Sequence, residues 1–337
     1  CLVGSEMCIR DRLITDKDWI ELGYFEDTAE ADIEVGDSND FELILPKIIA
    51  KKYEIAEKCI VFVPGTEFGG LIEDTESITS GENITFRGGA WRKYLEQLII
   101  EPPSGQSYLT VYGDANRILK QVLNKGTGLL FEVPDYTAGI NISKHQFRYV
   151  DALTGLTNML EKQNARLDIK AMQGETGEPC RIVIQAVKQE NYQEELEYNG
   201  DDNIDVTTRA CNGRINHLIC LGKGELANRI VVHLYAQLDG TVGTKQYYKG
   251  TEERTAIYDY SSGEKEDLVK EGTKKLKELM NYKEAKMTIS TADLEIGDIV
   301  SARDRKAGIL LSRPVERKIL RCESGEMSVE YKLKGEQ

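Results

Sequence analysis

The stretch "TADLEIGDIVSARDRKAGILL", residues 291–311, holds two apolar segments separated by charged residues. Leu294 and Ile296 alternate with polar or small residues, and this period of two predicts a half-buried strand that ends at a Gly-Asp bend. Residues 302–308 are too charged for a core and are typical of a turn, after which residues 309–311 resume an apolar run. The sequence therefore predicts two strands around a charged turn, which would be either a catalytic cluster of Asp and Arg or the rim of a β-barrel.

Length and composition are those of a soluble globular protein. The 337 residues suffice for two or three domains, with 40% apolar and 30% charged residues. The longest wholly apolar stretches, such as Cys59–Val63, are far too short to span a bilayer, so no membrane anchor is expected. A net charge of -14 repels phosphate backbones, which argues against sequence-specific binding of nucleic acid.

The first twelve residues, "CLVGSEMCIRDR", have no initiator Met and lack the apolar centre of a secretory signal. They resemble a translated sequencing adaptor, so residues 1–12 are left out of the fold prediction and a short native N-terminus is expected to be missing. The chain has seven cysteines, of which Cys1 and Cys8 lie in this segment and five lie beyond it. An odd number at wide spacing argues against a disulfide framework and favours folding in a reducing compartment.

The pattern along the chain predicts a β-rich α+β protein. Residues 33–87 alternate apolar and polar residues between Ser/Gly turns, as in a barrel or a sandwich. Three segments have the spacing of amphipathic helices: 91–98, 115–122 and 151–164. Asp114 and Asp151 are suitable caps for the second and third of these helices, and the chain returns to strands after Cys180.

A further, charged helix is predicted over Glu264–Met280. Its narrow apolar seam is Val269, Leu276 and Met280, and Glu–Lys pairs at i, i+4 spacing would support it in water. The fold class is therefore α+β, with helices inserted between groups of strands.

Four residues form the best metal candidate: Cys211, His217, Cys220 and His233. Zinc prefers nitrogen and sulfur ligands, but the gaps of five, two and twelve residues differ from the tight pairs of structural zinc sites. If residues 214–221 form one strand, His217 and Cys220 point to opposite faces. We therefore expect no metal, and interpret these residues as buried Cys and partly buried His in a sheet.

The segment "DDNIDV", Asp201–Val206, imitates the start of a calcium loop. Such a loop needs Gly at its sixth position and Glu at its twelfth, where this chain has Val206 and Asn212. A solvated acidic loop between strands is the preferred interpretation.

The segment "LGKGEL", Leu221–Leu226, contains two glycines that resemble those of phosphate-binding loops. It lacks the four-residue gap and the Gly-Lys-Ser/Thr ending of such loops, so Gly222 and Gly224 are interpreted as structural turn residues. The three histidines, His145 among them, do not lie beside a recognisable nucleophile motif. No catalytic residue and no cofactor are therefore predicted.

The order of several motifs resembles that of one known family. These motifs are "FELILP", "RGGAWRKYLEQLI", "QFRYVDALTGLTNMLEKQNARLDIK", "LICLGKGELANRIVVHLYAQLDGTVGTKQYYKGTEERTAIYDY", "LEIGDIVSARDRKAGI" and a final "VEYKL". Together they resemble the siphophage tail-hub (baseplate-hub) family, typified by a Rhodococcus phage tail protein, over residues 13–335.

This resemblance implies β-barrel domains of the phage-hub type around an inserted α+β middle region. The implied parts are an N-terminal β-barrel domain with trailing helices at 13–125, the α+β middle region at 126–185, and a C-terminal β-rich barrel domain with one charged helix at 186–337. It also implies a homotrimer that closes the distal end of the tail tube. The candidate subunit interface is Asp298, Arg303, Asp304 and Arg305.

The implied function is structural, without enzymatic activity. The expected partners are copies of the chain itself and distal tail or tail-tube proteins, with tape-measure and receptor-binding proteins as further candidates. The expected location is the virion tail tip, after assembly in the host cytoplasm. Two alternatives stay open: a tail-associated cell-wall hydrolase, and a carbohydrate-binding module for host attachment.

Overall fold

The computed structural model describes residues 12–25, 29–192, 197–198, 205–289, 294–304, 309–323 and 326–334. The chain divides into two compact units. Unit 1 comprises Cys1–Leu196, Met287–Val300 and Pro314–Lys332. Unit 2 comprises Glu197–Lys286, Ser301–Arg313 and Leu333–Gln337. The division into 13–125, 126–185 and 186–337 stays a prediction, and each unit is described by itself.

Strands dominate the described residues, so the predicted β-rich α+β class is confirmed. In chain order the strands are β1 Arg12–Thr15, β2 Glu21–Phe25, β3 Glu30–Val35, β4 Asp40–Pro46, β5 Ile60–Phe62, β6 Gly69–Ser77, β7 Asn83–Ala90, β8 Ile99–Ile100, β9 Leu109–Asp114, β10 Phe131–Glu132, β11 Asn141–Phe147, β12 Val150–Asp151, β13 Ala165–Met172, β14 Arg181–Lys188, β15 Glu197–Tyr198, β16 Asp205–Cys211, β17 His217–Leu221, β18 Val231–Ala236, β19 Val242–Gly243, β20 Thr255–Asp259, β21 Tyr282–Ile289, β22 Ile299–Asp304, β23 Ile309–Glu323 and β24 Glu326–Leu333. The α-helices are α1 Lys47–Lys52, α2 Trp91–Glu96, α3 Ala115–Val122, α4 Ala152–Glu161 and α5 Lys265–Leu279.

The largest sheet of unit 1 has the strand order β24-β23-β3-β4-β7-β6-β5-β1-β2. Its pairings from β23 to β2 are antiparallel, which lets short turns join most neighbours. Strand β4 alternates strictly, with Phe41, Leu43 and Leu45 buried, because successive side chains of a strand point to opposite faces. The strands predicted over 33–87 are therefore confirmed.

The core of unit 1 joins this sheet to helices α2, α3 and α4 and to the small sheet β10-β14-β13. Trp91, only 1% exposed, is among its largest buried side chains. Both predicted caps are confirmed: Asp114 accepts a hydrogen bond from the Asn116 amide at 3.0 Å, and Asp151 accepts one from the Thr154 amide at 2.7 Å.

Unit 2 contains a four-stranded sheet of order β19-β18-β17-β20, in which β20 runs parallel to β17. Helix α5 covers one face of this sheet with Leu268, Gly272 and Leu276. A β-carbon at Gly272 would lie 2.5 Å from the Sγ atom of Cys220, so glycine permits this close approach. The predicted helix is confirmed, but Val269 is wrong as a seam residue because its side chain is 40% exposed.

Three further expectations differ from the structure. Leu294 precedes a turn and Ile296 lies within it, so the strand begins only at Ile299. At its other end β22 continues through Arg303 and Asp304, where the charge pattern predicts a turn. The strand orders are open paths, so no closed β-barrel is found among the described residues. In the same residues, no helix has both the length and the apolar character needed to cross a bilayer.

Candidate assembly interface

Asp298 anchors the turn that precedes β22. Its Oδ1 atom accepts hydrogen bonds from Arg166 Nε at 2.7 Å and from the Glu190 amide at 3.1 Å. Its Oδ2 atom accepts one from the Glu295 amide at 3.2 Å. The carboxylate is only 1% exposed, so it fastens the turn to β13 and to the segment after β14 within unit 1.

Arg166 extends this network along β13. Its Nη1 atom lies 3.2 Å from Asp168 Oδ1, and Gln185 donates to the other oxygen of Asp168 at 3.0 Å. Burial alone would lower the pKa of Arg166, but the neighbouring Asp298 and Asp168 outweigh burial and raise that pKa. The guanidinium is therefore held as a charged structural element.

A second buried network, here called the ion cluster, consists of Glu67, Arg92, Glu295 and Lys318. Arg92 Nε lies 2.7 Å from Glu67 Oε1, and Lys318 Nζ lies 3.5 Å from Glu67 Oε2. Lys318 also pairs with Glu295 and lies over the Phe68 ring, 4.9 Å from its centroid. All four charged residues are less than one tenth exposed, and their two positive and two negative charges balance.

The candidate interface residues occupy different environments. Asp298 is buried within unit 1 and its oxygens already accept hydrogen bonds from its own chain. Arg303 and Asp304 lie at the end of β22. Arg305 lies outside the described residues. Of the four candidate residues, Asp298 is thus the one whose side chain the structure describes, and it supports the turn before β22.

Strand β2 lies at an edge of the largest unit 1 sheet. It is the last strand in the order of the largest unit 1 sheet, so one of its edges is unpaired among the described strands. Leu22 and Tyr24 are 36% and 38% exposed on this strand. An exposed strand edge with apolar side chains is a typical template for pairing with another chain.

The structure brings together two of the four metal candidates. His217 Nε2 lies 2.9 Å from His233 Nδ1, while Cys220 points into the core beneath α5, on the opposite face of the sheet as predicted. Cys211 lies at the end of β16. Among the described residues no group of three or more His, Cys, Asp or Glu could hold a metal ion.

Glu253 completes the histidine pair, and the sequence pattern gave no sign of it. Its Oε1 atom lies 2.7 Å from His217 Nδ1, and this hydrogen bond lowers the pKa of Glu253. Tyr235 stacks on His217 with ring centroids 4.4 Å apart. The parallel pairing of β17 with β20, which aligns His217 with Thr255, brings Glu253 close and could not be read from the sequence.

The two predicted turn glycines, Gly222 and Gly224, lie where a β-carbon would clash with neighbouring atoms. Gly224 has a φ of +105°, and a β-carbon there would lie 2.5 Å from the Asn228 carbonyl oxygen. A β-carbon at Gly222 would lie 2.6 Å from both the Gly263 carbonyl oxygen and Leu268 Cδ1. Of the acidic segment Asp201–Val206, residues 201–204 lie outside the described part of the chain, and Asp205 begins β16.

No protein-family model matches the chain, and no curated protein sequence matches it. Among solved structures it is similar to the 43 kDa tail protein of prophage MuSo2 from Shewanella oneidensis, with a TM-score of 0.51 and 12% identity, over 96% of this chain and 98% of that one. The chain has the fold of this prophage tail protein.

Two further tail proteins are similar over almost their whole length. A tail protein from Neisseria meningitidis has a TM-score of 0.46 and 12% identity, over 96% of each chain. The prophage tail protein gp18 from Listeria monocytogenes has a TM-score of 0.44 and 12% identity, over 96% of this chain and 94% of that one.

Proposed function

We propose that this chain is a structural component of a bacteriophage or prophage tail, and that it forms the hub that closes the distal end of the tail tube. The observation that carries the proposal is the likeness of fold to the MuSo2 tail protein, which spans nearly all of both chains. A fold alone does not fix a function, so the proposal also draws on the order of motifs along residues 13–335.

The proposed hub is a homotrimer. A closed ring uses head-to-tail contacts, in which one surface of each copy binds a different surface of the next. The charged residues Arg303, Asp304 and Arg305 are proposed for one side of this contact, because opposite charges on neighbouring copies can pair there. The unpaired edge of β2 supports assembly independently, since a ring covers exposed strand edges.

Native mass spectrometry over a range of protein concentrations tests this assembly. We expect trimers at high concentration, and weaker trimers when Arg303 and Arg305 are both replaced by Glu. The matched control replaces Lys144 and Lys249, two exposed lysines, by Glu, which changes the net charge equally. A stable dimer would contradict the homotrimer, and a trimer that the replacement of Arg303 and Arg305 leaves unchanged would contradict the proposed interface.

The proposed role involves no catalysis. Zymography on the purified chain with bacterial cell walls tests this part separately. A cleared band that disappears when His217 or His233 is replaced would establish a hydrolase and overturn the proposal. Their neighbour Glu253 makes this pair the sharpest place to test.

A further inference from the structure

Unit 2 contains a cavity of about 250 Å³, here called the amide pocket. Its polar lining comes from Asn212, Asn216, Gln237, Asp239 and Asn281. These residues come from four places in the chain: the end of β16, the approach to β17, the turn after β18 and the start of β21. Sequence patterns do not bring them together, so the pocket is visible only in the fold.

Hydrogen bonds within unit 2 fix two of the amide side chains. Asn281 Oδ1 accepts a hydrogen bond from the Arg214 amide at 2.8 Å, which leaves its NH2 group without a partner among the described residues. Gln237 Nε2 donates to the Tyr235 and Lys245 carbonyl oxygens at 3.0 and 2.9 Å. Its Oε1 atom has no partner among the same residues. The pocket therefore combines an oriented donor and an oriented acceptor.

Asp239 adds a second fixed acceptor. Its Oδ1 atom accepts hydrogen bonds from the amide and the hydroxyl of Thr241, at 3.0 and 2.7 Å. These hydrogen bonds lower the pKa of Asp239, so the carboxylate stays ionised at neutral pH. Its Oδ2 atom has no partner among the described residues and can accept a hydrogen bond from a ligand.

The rest of the lining is apolar or aromatic. Tyr248 and Tyr282 line the pocket together with Met280, which is only 3% exposed. The described residues that line it include no Lys or Arg. Arg214 lies beside the lining, with its guanidinium 5.1 Å from the centroid of the Tyr282 ring, and it is engaged in a cation–π contact with that ring. A phosphate or carboxylate ligand would face the Asp239 charge, so anions are disfavoured.

We propose that the amide pocket binds one neutral sugar unit. A pyranose has several hydroxyls, each of which donates and accepts, and these match the amides and the carboxylate of the lining. It also has apolar C–H faces that pack on tyrosine rings. The cavity lies just below the range of about 300–1,000 Å³ that holds drug-sized ligands, which suits a single sugar ring.

Saturation-transfer NMR on the purified full chain tests this site with the methyl glycosides of glucose, galactose and mannose and with N-acetylglucosamine. We expect transfer to at least one of them, with a Kd on the order of 1 mM. Glucose 6-phosphate is the charged comparison, and it should bind more weakly than methyl glucoside. An array of bacterial glycans then distinguishes a free monosaccharide from a unit within a polymer.

Two variants locate the binding. Asn212→Phe should close the pocket, and Asn212 is exposed without a hydrogen bond to another described residue, so folding should tolerate the change. Tyr248→Ala should weaken binding about tenfold or more. Its matched control, Tyr247→Ala, removes the neighbouring ring, which does not line the pocket.

The three variants distinguish binding in the amide pocket from binding elsewhere on the chain. Loss of binding in Asn212→Phe and Tyr248→Ala, with binding kept in Tyr247→Ala and an unchanged circular dichroism spectrum in all three, supports the site. The proposal is overturned if no sugar shows transfer, or if Asn212→Phe binds as the unaltered chain does. Neither outcome depends on whether the chain forms a trimer.

Discussion

Replacing Lys318 with Met should destabilise unit 1 strongly. In the ion cluster, Lys318 pairs with Glu295 and with Glu67, and Arg92 also pairs with Glu67. The substitution keeps most of the side-chain volume but leaves Glu295 buried without the lysine that pairs with it. The substitution therefore destabilises unit 1 through the lost charge and not by creating a cavity.

The magnitude follows from the distances. At an effective dielectric constant of about 20, charges separated by the 3.5 Å between Lys318 Nζ and Glu67 Oε2 attract by roughly 5 kcal/mol. The cost of removing the charges from water offsets much of this attraction, but that cost remains for Glu295 when the lysine is lost. We therefore expect a loss of about 3–5 kcal/mol in the free energy of unfolding.

Urea denaturation followed by tryptophan fluorescence measures this loss, because Trp19 and Trp91 both lie in unit 1. The double variant Lys318→Met with Glu295→Leu also removes the buried carboxylate that loses its lysine, and it should recover most of the stability. A loss below about 1 kcal/mol in the single variant, the value of an exposed ion pair, would refute the reasoning. So would a double variant that recovers nothing.

The pH dependence gives a second test of the same cluster. Burial lowers the pKa of Lys318, but Glu295 and Glu67 outweigh burial and raise it from 10.5 to about 12. Because the folded value is the higher one, the charged lysine stabilises unit 1 fully below about pH 10.5. This contribution of about 2 kcal/mol is lost as the pH rises through 12, and Lys318→Met should not show it.

Four further predictions concern other parts of the chain. Asp298→Ala removes three hydrogen bonds from the turn before β22 and should cost about 3–5 kcal/mol by urea denaturation, while an effect below about 1 kcal/mol would contradict its structural role. Gly224→Val should lower the free energy of unfolding by about 1–2 kcal/mol or more, because Gly224 has a positive φ, and Gly222→Val should lower the soluble yield. Unchanged stability with both glycines replaced would contradict their role as structural turn residues. The ionised Glu253 stabilises unit 2 above its ordinary pKa of 4.5, and this contribution is lost as the pH falls through the lowered folded value; in urea titrations followed by circular dichroism, His217→Phe should weaken that dependence, because the hydrogen bond to His217 is the largest cause of the lowered pKa. Chelator should leave the melting temperature unchanged, because Cys220 and His217 face opposite sides of the sheet; a large fall with stoichiometric zinc by elemental analysis would contradict this.

Local features of the fold were predictable from the sequence. Helices α3 and α4 combine an apolar stripe with a capping Asp, and both signals act within a few residues. The strict alternation of β4 predicts its buried face for the same reason. Such patterns need no knowledge of distant partners.

The segment before β22 shows where sequence patterns fail. Leu294 is buried as its pattern indicates, but Glu295 is also buried, because it pairs with Lys318. An alternation of apolar and polar residues assumes that the polar ones face water, so it predicts a strand where the chain forms a turn. A charge whose partner is distant in sequence cannot be placed by periodicity.

In the candidate sites, too, local features were predictable from the sequence and contacts between distant segments were not. The sequence predicts that His217 and Cys220 lie on opposite faces, but not that His233 and Glu253 join His217. The amide pocket likewise assembles Asn212, Gln237 and Asn281 from separate parts of the chain. These groupings depend on strand order, which only the fold supplies.

Electron microscopy of the purified chain mixed with the tail-tube protein of the same phage or prophage tests the central claim most directly. We expect a threefold-symmetric ring bound at one end of each tube. Tubes with both ends unoccupied, or copies of the chain bound along the side of the tube, would contradict the proposal that this chain is the hub.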